Sequence, residues 1–272
     1  MPNVDILILA ILRGVSEILP IDPAAHAALL GRLLCWPEQA NFSAAAADAG
    51  ILAALVLYLW QDVFQMARSL VRVLRGKRDP GARLVAHLLL GSLPAFAITF
   101  GLRFLLDVTI SDPVYISVLL VAFGVVLYVA DQAGLTVRGV EQMTLRQAVI
   151  IGIFQGLAVL PGVSRVGLVV TVARIMGYER PDAARFMLLL SIPWMAASGL
   201  YRAFLGFAAA EAPDPDRLLL MAAISAIAAF FSIVFLMYWV RRGSFTLFAV
   251  YRVVLGGALI YALYRLPDLV CS

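Results

Sequence analysis

Two short stretches set ionisable and turn-forming residues inside otherwise apolar sequence, and their residue types suit an anion such as phosphate. In the first, Arg13 and Glu17 stand four apart, which puts them on one helical face within pairing reach. Pro20-Ile21-Asp22-Pro23 then breaks the run. Asp is a good N-cap and Pro a good first helical residue, so a second half-helix is expected from Pro23, with His26 in its first turn. The second stretch is Pro161-Gly162-Val163-Ser164-Arg165. Pro161-Gly162 turns the chain, and Ser164 and Arg165 open the next half-helix. The unpaired N–H groups at such a helix start favour an anion. A hydroxyl and a guanidinium beside them make a phosphate-type site, because guanidinium grips an oxyanion with two parallel bonds.

The elements that must position these residues lie in lipid. The chain has 272 residues, of which 63% are hydrophobic and 14% charged, with a mean hydropathy of +0.96. Soluble domains carry about a quarter charged residues, so this chain has too little polar surface to cover a water-soluble globule. An all-α, polytopic membrane protein is expected, because only helices or closed barrels satisfy the backbone in a bilayer. The net charge of +4 is read as basic cytoplasmic loops rather than nucleic-acid binding. Ionisable residues at membrane depth default to function.

Apolar runs at 44–67, 84–106, 114–130, 186–207, 218–240 and 246–264 are each long enough to span. Regions 5–34 and 146–176 are apolar but broken in the middle. The 68–83 loop holds Arg68, Arg72, Arg75, Lys77, Arg78 and Arg83 against Asp79, which makes it cytoplasmic. Counting onward puts Asp107 and Asp112 outside and Arg138 and Arg146 inside. Arg180 and Arg185 follow region 146–176, so both its flanks are cytoplasmic and it is expected to be a re-entrant hairpin. Parity then puts Glu211, Asp214 and Asp216 outside and Arg241 and Arg242 inside. Arg13-Gly14 with Ile18-Leu19-Pro20 parallels Gln155-Gly156 with Val159-Leu160-Pro161, apart from a one-residue gap. Each copy is followed by about three spans. A single membrane domain of two inverted repeats, about 1–132 and 146–266, is therefore expected, with broken segments meeting near the midplane and the N-terminus outside.

Other polar residues read as structural. His87 and Arg252 are single polar residues near helix ends or packing faces, and Ser92–Pro94 and Ser191–Pro193 read as helix kinks. Cys35 and Cys271 fit no metal or redox spacing. The first residues lack a basic n-region, and Arg13 and Glu17 interrupt the apolar run, so no cleaved signal is expected.

Around these residues the sequence resembles the undecaprenyl-diphosphate phosphatase family of bacterial inner membranes, also known for bacitracin resistance. The family's first motif, Glu/Gln-x-x-x-Glu running into Leu-Pro, a serine-rich stretch and His, is matched by Arg13-Gly-Val-Ser-Glu17-Ile-Leu-Pro20-Ile-Asp22-Pro-Ala-Ala-His26. Its Pro-Gly-x-Ser-Arg-Ser motif is matched by Pro161-Gly-Val-Ser164-Arg165-Val166. The stretch from Arg180 to Pro193 and the pair Tyr251-Arg252 also follow the family pattern. The resemblance covers essentially the whole chain. It implies six spans with two re-entrant hairpins and an outward-facing site that removes the terminal phosphate of undecaprenyl diphosphate with the help of a divalent cation, Mg or Ca.

Carried over residue by residue, the catalytic candidates are Glu17, His26, Ser164 and Arg165. The substrate-binding candidates are Arg13, Gly162, Ser164 and Arg165. Glu17 and Asp22 are the candidate metal ligands, Asp22 standing in for the carboxylate that Arg13 replaces. The departures from the pattern are Arg13, a charge reversal; Asp22-Pro23-Ala24-Ala25 in place of the serine-rich run; and Val166 in place of serine. These leave three readings: an active divergent phosphatase, a polyprenyl-phosphate binder or translocase that lacks catalysis, and an ion-coupled solute transporter.

Overall fold

Asp-Pro pairs and apolar runs write most of the helix boundaries. The computed structural model describes residues 3–27, 40–76, 79–102, 112–134, 137–211 and 214–265. Cys35, Cys271, Lys77, Arg78, Asp107 and the end of the first broken region lie outside them. The helices are α1 (Asn3–Ser16), α2 (Asn41–Tyr58), α3 (Trp60–Leu74), α4 (Pro80–Phe100), α5 (Pro113–Ala133), α6 (Leu145–Gly156), α7 (Arg165–Ile175), α8 (Arg180–Ala208), α9 (Pro215–Val240) and α10 (Thr246–Arg265). Residues 23–27 are also helical. Asp112 and Asp214 each cap a helix whose next residue is Pro, accepting from Val114 N in one case and from Asp216 N and Arg217 N in the other. Thr144 and Gln147 form a reciprocal capping box at the start of α6, which satisfies two otherwise orphaned groups.

Among the described residues, six helices are long and apolar enough to cross a membrane: α2, α4 (from Gly81), α5, α8, α9 and α10. The chain is an all-α, multi-pass membrane protein. Its outer surface carries Leu57, Leu93, Phe204, Phe207, Phe231 and Val254, each more than half exposed, as a lipid-facing surface requires. The interior centres on α8, where Phe186, Met187, Leu188, Leu189 and Leu190 are consecutive and all fully buried. A helix buried on every side belongs at the centre of a bundle.

The first span is shorter than the apolar run 44–67 suggested. It ends at Tyr58, and Leu59 interrupts the helix with ψ at 24°. The chain resumes as α3, which mixes Asp62, Arg68 and Arg72 with Trp60, Phe64 and Leu74. Charged residues at those intervals make α3 amphipathic, the character of a helix lying along an interface.

At 1.5 Å per residue, α6 and α7 reach only about 18 and 16 Å, against a hydrocarbon core of about 30 Å. They pack against each other across the break at 157–164, so this region is a hairpin of two half-helices. α1 packs on α9, α6 on α4, α2 on α8, and α5 on α10. α1 approaches α9 closely because Gly14 lies against the Ser225 carbonyl and Ala228, where any side chain would collide.

A buried ion network fixes the far end of the second hairpin. Asp131 is 1% exposed and Arg174 also 1%. Arg174 Nε and Arg180 Nε donate to Asp131 Oδ1 at 3.0 and 2.8 Å, and Phe245 N donates to Oδ2 at 3.1 Å. This one carboxylate ties α5, α7, α8 and the start of α10 together.

Candidate active site

The two breaks share one local geometry. Asp22 and Ser164 are non-glycine residues in the left-handed region, with φ at 72° and 63°. Each caps the helix that follows: Asp22 Oδ2 accepts from Ala25 N at 2.9 Å, and Ser164 Oγ from Gly167 N at 3.1 Å. Both bonds span three residues, as N-caps do. Left-handed backbone at non-glycine residues costs energy and clusters at functional sites. The tips also touch. Asp22 Oδ2 accepts a second bond, from Gly162 N at 2.7 Å. Gly162 has φ +94° and faces the Ile116 carbonyl, so the turn needs glycine. Arg252, fully buried, donates from Nη2 to the carbonyls of Gly162 and Val163 at 2.7 and 3.1 Å. The residue read as structural from sequence thus holds the second tip in shape.

Arg165 starts α7 and is 7% exposed. Its Nη1 donates to Ser191 Oγ at 2.8 Å, and Ser191 passes a bond on to the Met187 carbonyl. The guanidinium carbon lies 5.7 Å from the centre of the Trp194 ring. Among the described residues, Nε and Nη2 of Arg165 have no hydrogen-bond partner. Those two donors form one edge of the guanidinium fork, the geometry that receives two oxygens of a phosphate. Glu17 Oε2 lies 3.7 Å from Nη2, an ion pair too long for a hydrogen bond.

Glu17 also faces Arg13, with Nη2 to Oε1 at 3.7 Å. The shorter contact of Arg13 is to Asp48: Nη2 donates to Oδ1 at 2.6 Å. Asp48 is fully buried, and its Oδ2 accepts from Ser198 Oγ at 2.8 Å and faces Arg202 Nε at 3.4 Å. A ladder of alternating charge thus runs Arg202, Asp48, Arg13, Glu17, Arg165, crossing from α8 through α2 and α1 to α7, with Ser191 returning it to α8. Three guanidinium groups flank two carboxylates, which biases the site toward an anion.

His26 sits apart from this ladder. Its Nδ1 lies 2.7 Å from the Asp22 carbonyl and its Nε2 lies 2.6 Å from the Tyr251 hydroxyl. A carbonyl only accepts, so Nδ1 carries the proton, and in the neutral ring Nε2 accepts from Tyr251. The two rings are stacked, 5.7 Å apart at 5°.

Of the sequence candidates, Glu17 and Arg165 meet directly, as do Asp22 and Gly162, while Ser164 caps the helix that Arg165 begins. Glu17 and Asp22 hold different partners. Among the described residues, no three His, Cys, Asp or Glu side chains gather into a group that could hold a metal. Sequence reasoning missed Asp48, Ser191, Ser198 and Arg202. Asp48 carried a usable signal, since it is an acid within the span Asn41–Tyr58 and intramembrane acids are costly. The serines carried none, because hydroxyls are common in spans.

Comparison with known proteins bears on this site as a whole. Residues 6–258 match the family described as bacitracin resistance protein BacA. The undecaprenyl-diphosphatase 1 of Rhodospirillum rubrum is 41% identical, covering 97% of this chain and 96% of its own length. That of Paramagnetospirillum magneticum is 38% identical over 97% of this chain and 98% of its own length. The undecaprenyl-diphosphatase of Ruegeria is 38% identical, with 97% and 100% coverage. With the match running from the first half-helix to the last span, the chain belongs to the bacitracin resistance protein BacA family.

Proposed function

We propose that this protein is a membrane phosphatase that hydrolyses undecaprenyl diphosphate to undecaprenyl phosphate and phosphate, recycling a cell-wall lipid carrier. It works in the bacterial inner membrane with its site facing outward. The observation that carries this reading is Arg165, a buried guanidinium at a helix N-terminus whose Nε and Nη2 are without hydrogen-bond partners among the described residues. The relatives' printed names supply the substrate.

In this reading Arg165 grips the terminal phosphate through Nε and Nη2, and the first N–H groups of α7 add to the grip. The Ser164 hydroxyl, whose oxygen already accepts from Gly167 N, turns its own proton toward the phosphate. Glu17 takes a proton from the attacking water. The water oxygen bonds to the terminal phosphorus, and the bond from that phosphorus to the bridging oxygen breaks. The bridging oxygen leaves on undecaprenyl phosphate. His26, whose Nδ1 proton is held by the Asp22 carbonyl, keeps Nε2 as a base toward the Tyr251 hydroxyl and stores a proton there. Guanidinium groups aimed where charge develops are the main source of rate here.

Supporting the inverted repeat, about 1–132 against 146–266, are the matched caps at Asp22 and Ser164. So is the exchange in which each broken segment's first helix packs on a span of the opposite half, α1 on α9 and α6 on α4.

The test is phosphate release from undecaprenyl diphosphate by purified protein, with Glu17→Gln and Arg165→Ala beside it. Release that falls by at least a hundredfold in both variants supports the reading. Normal turnover in either removes that residue from the mechanism.

A further inference from the structure

The residues at the site do not suit the divalent cation expected from sequence. Hard divalent cations need several oxygens free to turn toward them. Asp22 spends Oδ2 on two backbone N–H groups. Both oxygens of Asp48 are engaged, by Arg13 on one side and by Ser198 and Arg202 on the other. Both oxygens of Glu17 face guanidinium groups, at 3.7 Å each. The two carboxylates that come nearest each other do so through Arg13, whose Nη2 lies 2.6 Å from Asp48 and 3.7 Å from Glu17. A cation bridging that pair would take the ground that Arg13 holds.

We propose that Arg13 is a built-in cation: its guanidinium, clamped by Asp48 and set against Glu17, supplies the positive charge expected of a divalent metal, and turnover is metal-independent. The proposal rests on the phosphatase reading. Where the family pattern carries glutamate rather than glutamine at this position, arginine changes the local charge by two, from −1 to +1, which equals the charge of the ion it would displace. Asp48 keeps the guanidinium in place, and because the charge is covalently attached it cannot be removed by a chelator. Arg13 is a positioning and charge-supplying residue here, acting on the lipid diphosphate and on Glu17 together.

Two measurements on the purified full chain test this. In the first, phosphate release from undecaprenyl diphosphate is followed in EDTA and again with excess Mg or Ca. Wild-type turnover in EDTA is expected within about threefold of the rate with metal. A loss of a hundredfold or more in EDTA, restored by Mg or Ca, overturns the proposal. Arg13→Ala, checked for folding by gel filtration, is expected to lose at least thirtyfold in EDTA and to regain at least tenfold of that with Mg or Ca. Unchanged metal response in a folded Arg13→Ala also overturns it. In the second, calcium binding to the substrate-free protein is measured with radioactive calcium. Absence of a stoichiometric site in wild type supports the proposal, and one tightly bound ion per chain that Glu17→Gln abolishes overturns it. The binding measurement stands even if no phosphate is released under any condition, an outcome that counts against the phosphatase reading instead.

Discussion

The Asp22 carboxylate accepts a 2.7 Å hydrogen bond from the backbone N–H of Gly162, 140 residues away, and so locks the tip of the first broken segment to the tip of the second. Asp22→Ala removes both an N-cap and the partner of a buried N–H. A cap costs about 0.5–2 kcal/mol and an orphaned buried donor about 1–3 kcal/mol, so the variant should lose about 2–4 kcal/mol. Asp22→Ser keeps a capping oxygen on a shorter arm and should fall between. Thermal unfolding in detergent checks both, and an Asp22→Ala variant as stable as wild type would contradict the lock.

Ser191 anchors Arg165 Nη1 at 2.8 Å without belonging to the phosphate-gripping edge. Ser191→Ala should raise KM for the lipid diphosphate by about tenfold, corresponding to about 1.4 kcal/mol of lost binding, with a smaller change in kcat. Ser191→Thr should recover most of it. Arg165→Lys keeps the charge but loses the planar fork, so its kcat/KM should fall at least a hundredfold. Steady-state kinetics separates these cases.

Asp131 serves architecture rather than chemistry. Removing one member of a buried ion network costs about 3–5 kcal/mol because the partners' charges stay buried. Asp131→Ala, which strands Arg174, should therefore unfold at a clearly lower temperature. Substrate affinity in the remaining folded fraction should match wild type.

Glu211 gives the fold an acid-sensitive joint outside the spans. Its carboxylate accepts from Phe42 N, Asn41 N and Asn41 Nδ2 at the start of α2. The bond from Phe42 N is the main cause that holds its pKa below the usual glutamate range. With the folded value depressed, the stabilisation is complete above the ordinary carboxylate value of about 4.3 and is lost as pH falls through the lower folded value. Glu211→Gln should lower stability near neutral pH and flatten this part of the acid limb. Unfolding curves from pH 3 to 7 check it, and identical limbs would contradict the joint.

The topology has its own test. With Cys35 and Cys271 replaced by serine, cysteines placed at Lys77 and Pro213 should react with a membrane-impermeant reagent from opposite faces. Labelling of both from one face would overturn the orientation of the site.

The spans, the hairpin break and the two tips were legible because each rests on local signals. Apolar length, Asp-Pro starts and Pro-Gly turns act over a few residues. Arg13–Glu17 was readable for the same reason, as four-residue spacing is local. The partnership that dominates Arg13 was not, because Asp48 lies 35 residues away and only the packing of α1 against α2 brings it in. Ser191 illustrates the same limit: its spacing to Pro193 pointed to a kink, while its role toward Arg165 depends on how α7 lies beside α8. The end of the first span misled for a different reason. The apolar run continues past Tyr58, but the helix breaks at Leu59, and the residues beyond it belong to the amphipathic α3.

The most direct test of the phosphatase activity is the release of inorganic phosphate from undecaprenyl diphosphate by the purified wild-type protein, measured alongside lipid-diphosphate binding. Multiple turnovers with undecaprenyl phosphate as the lipid product are expected, with loss of binding in Arg165→Ala. Tight binding of the lipid diphosphate with no phosphate released would contradict it, leaving a binder or translocase built on the same site.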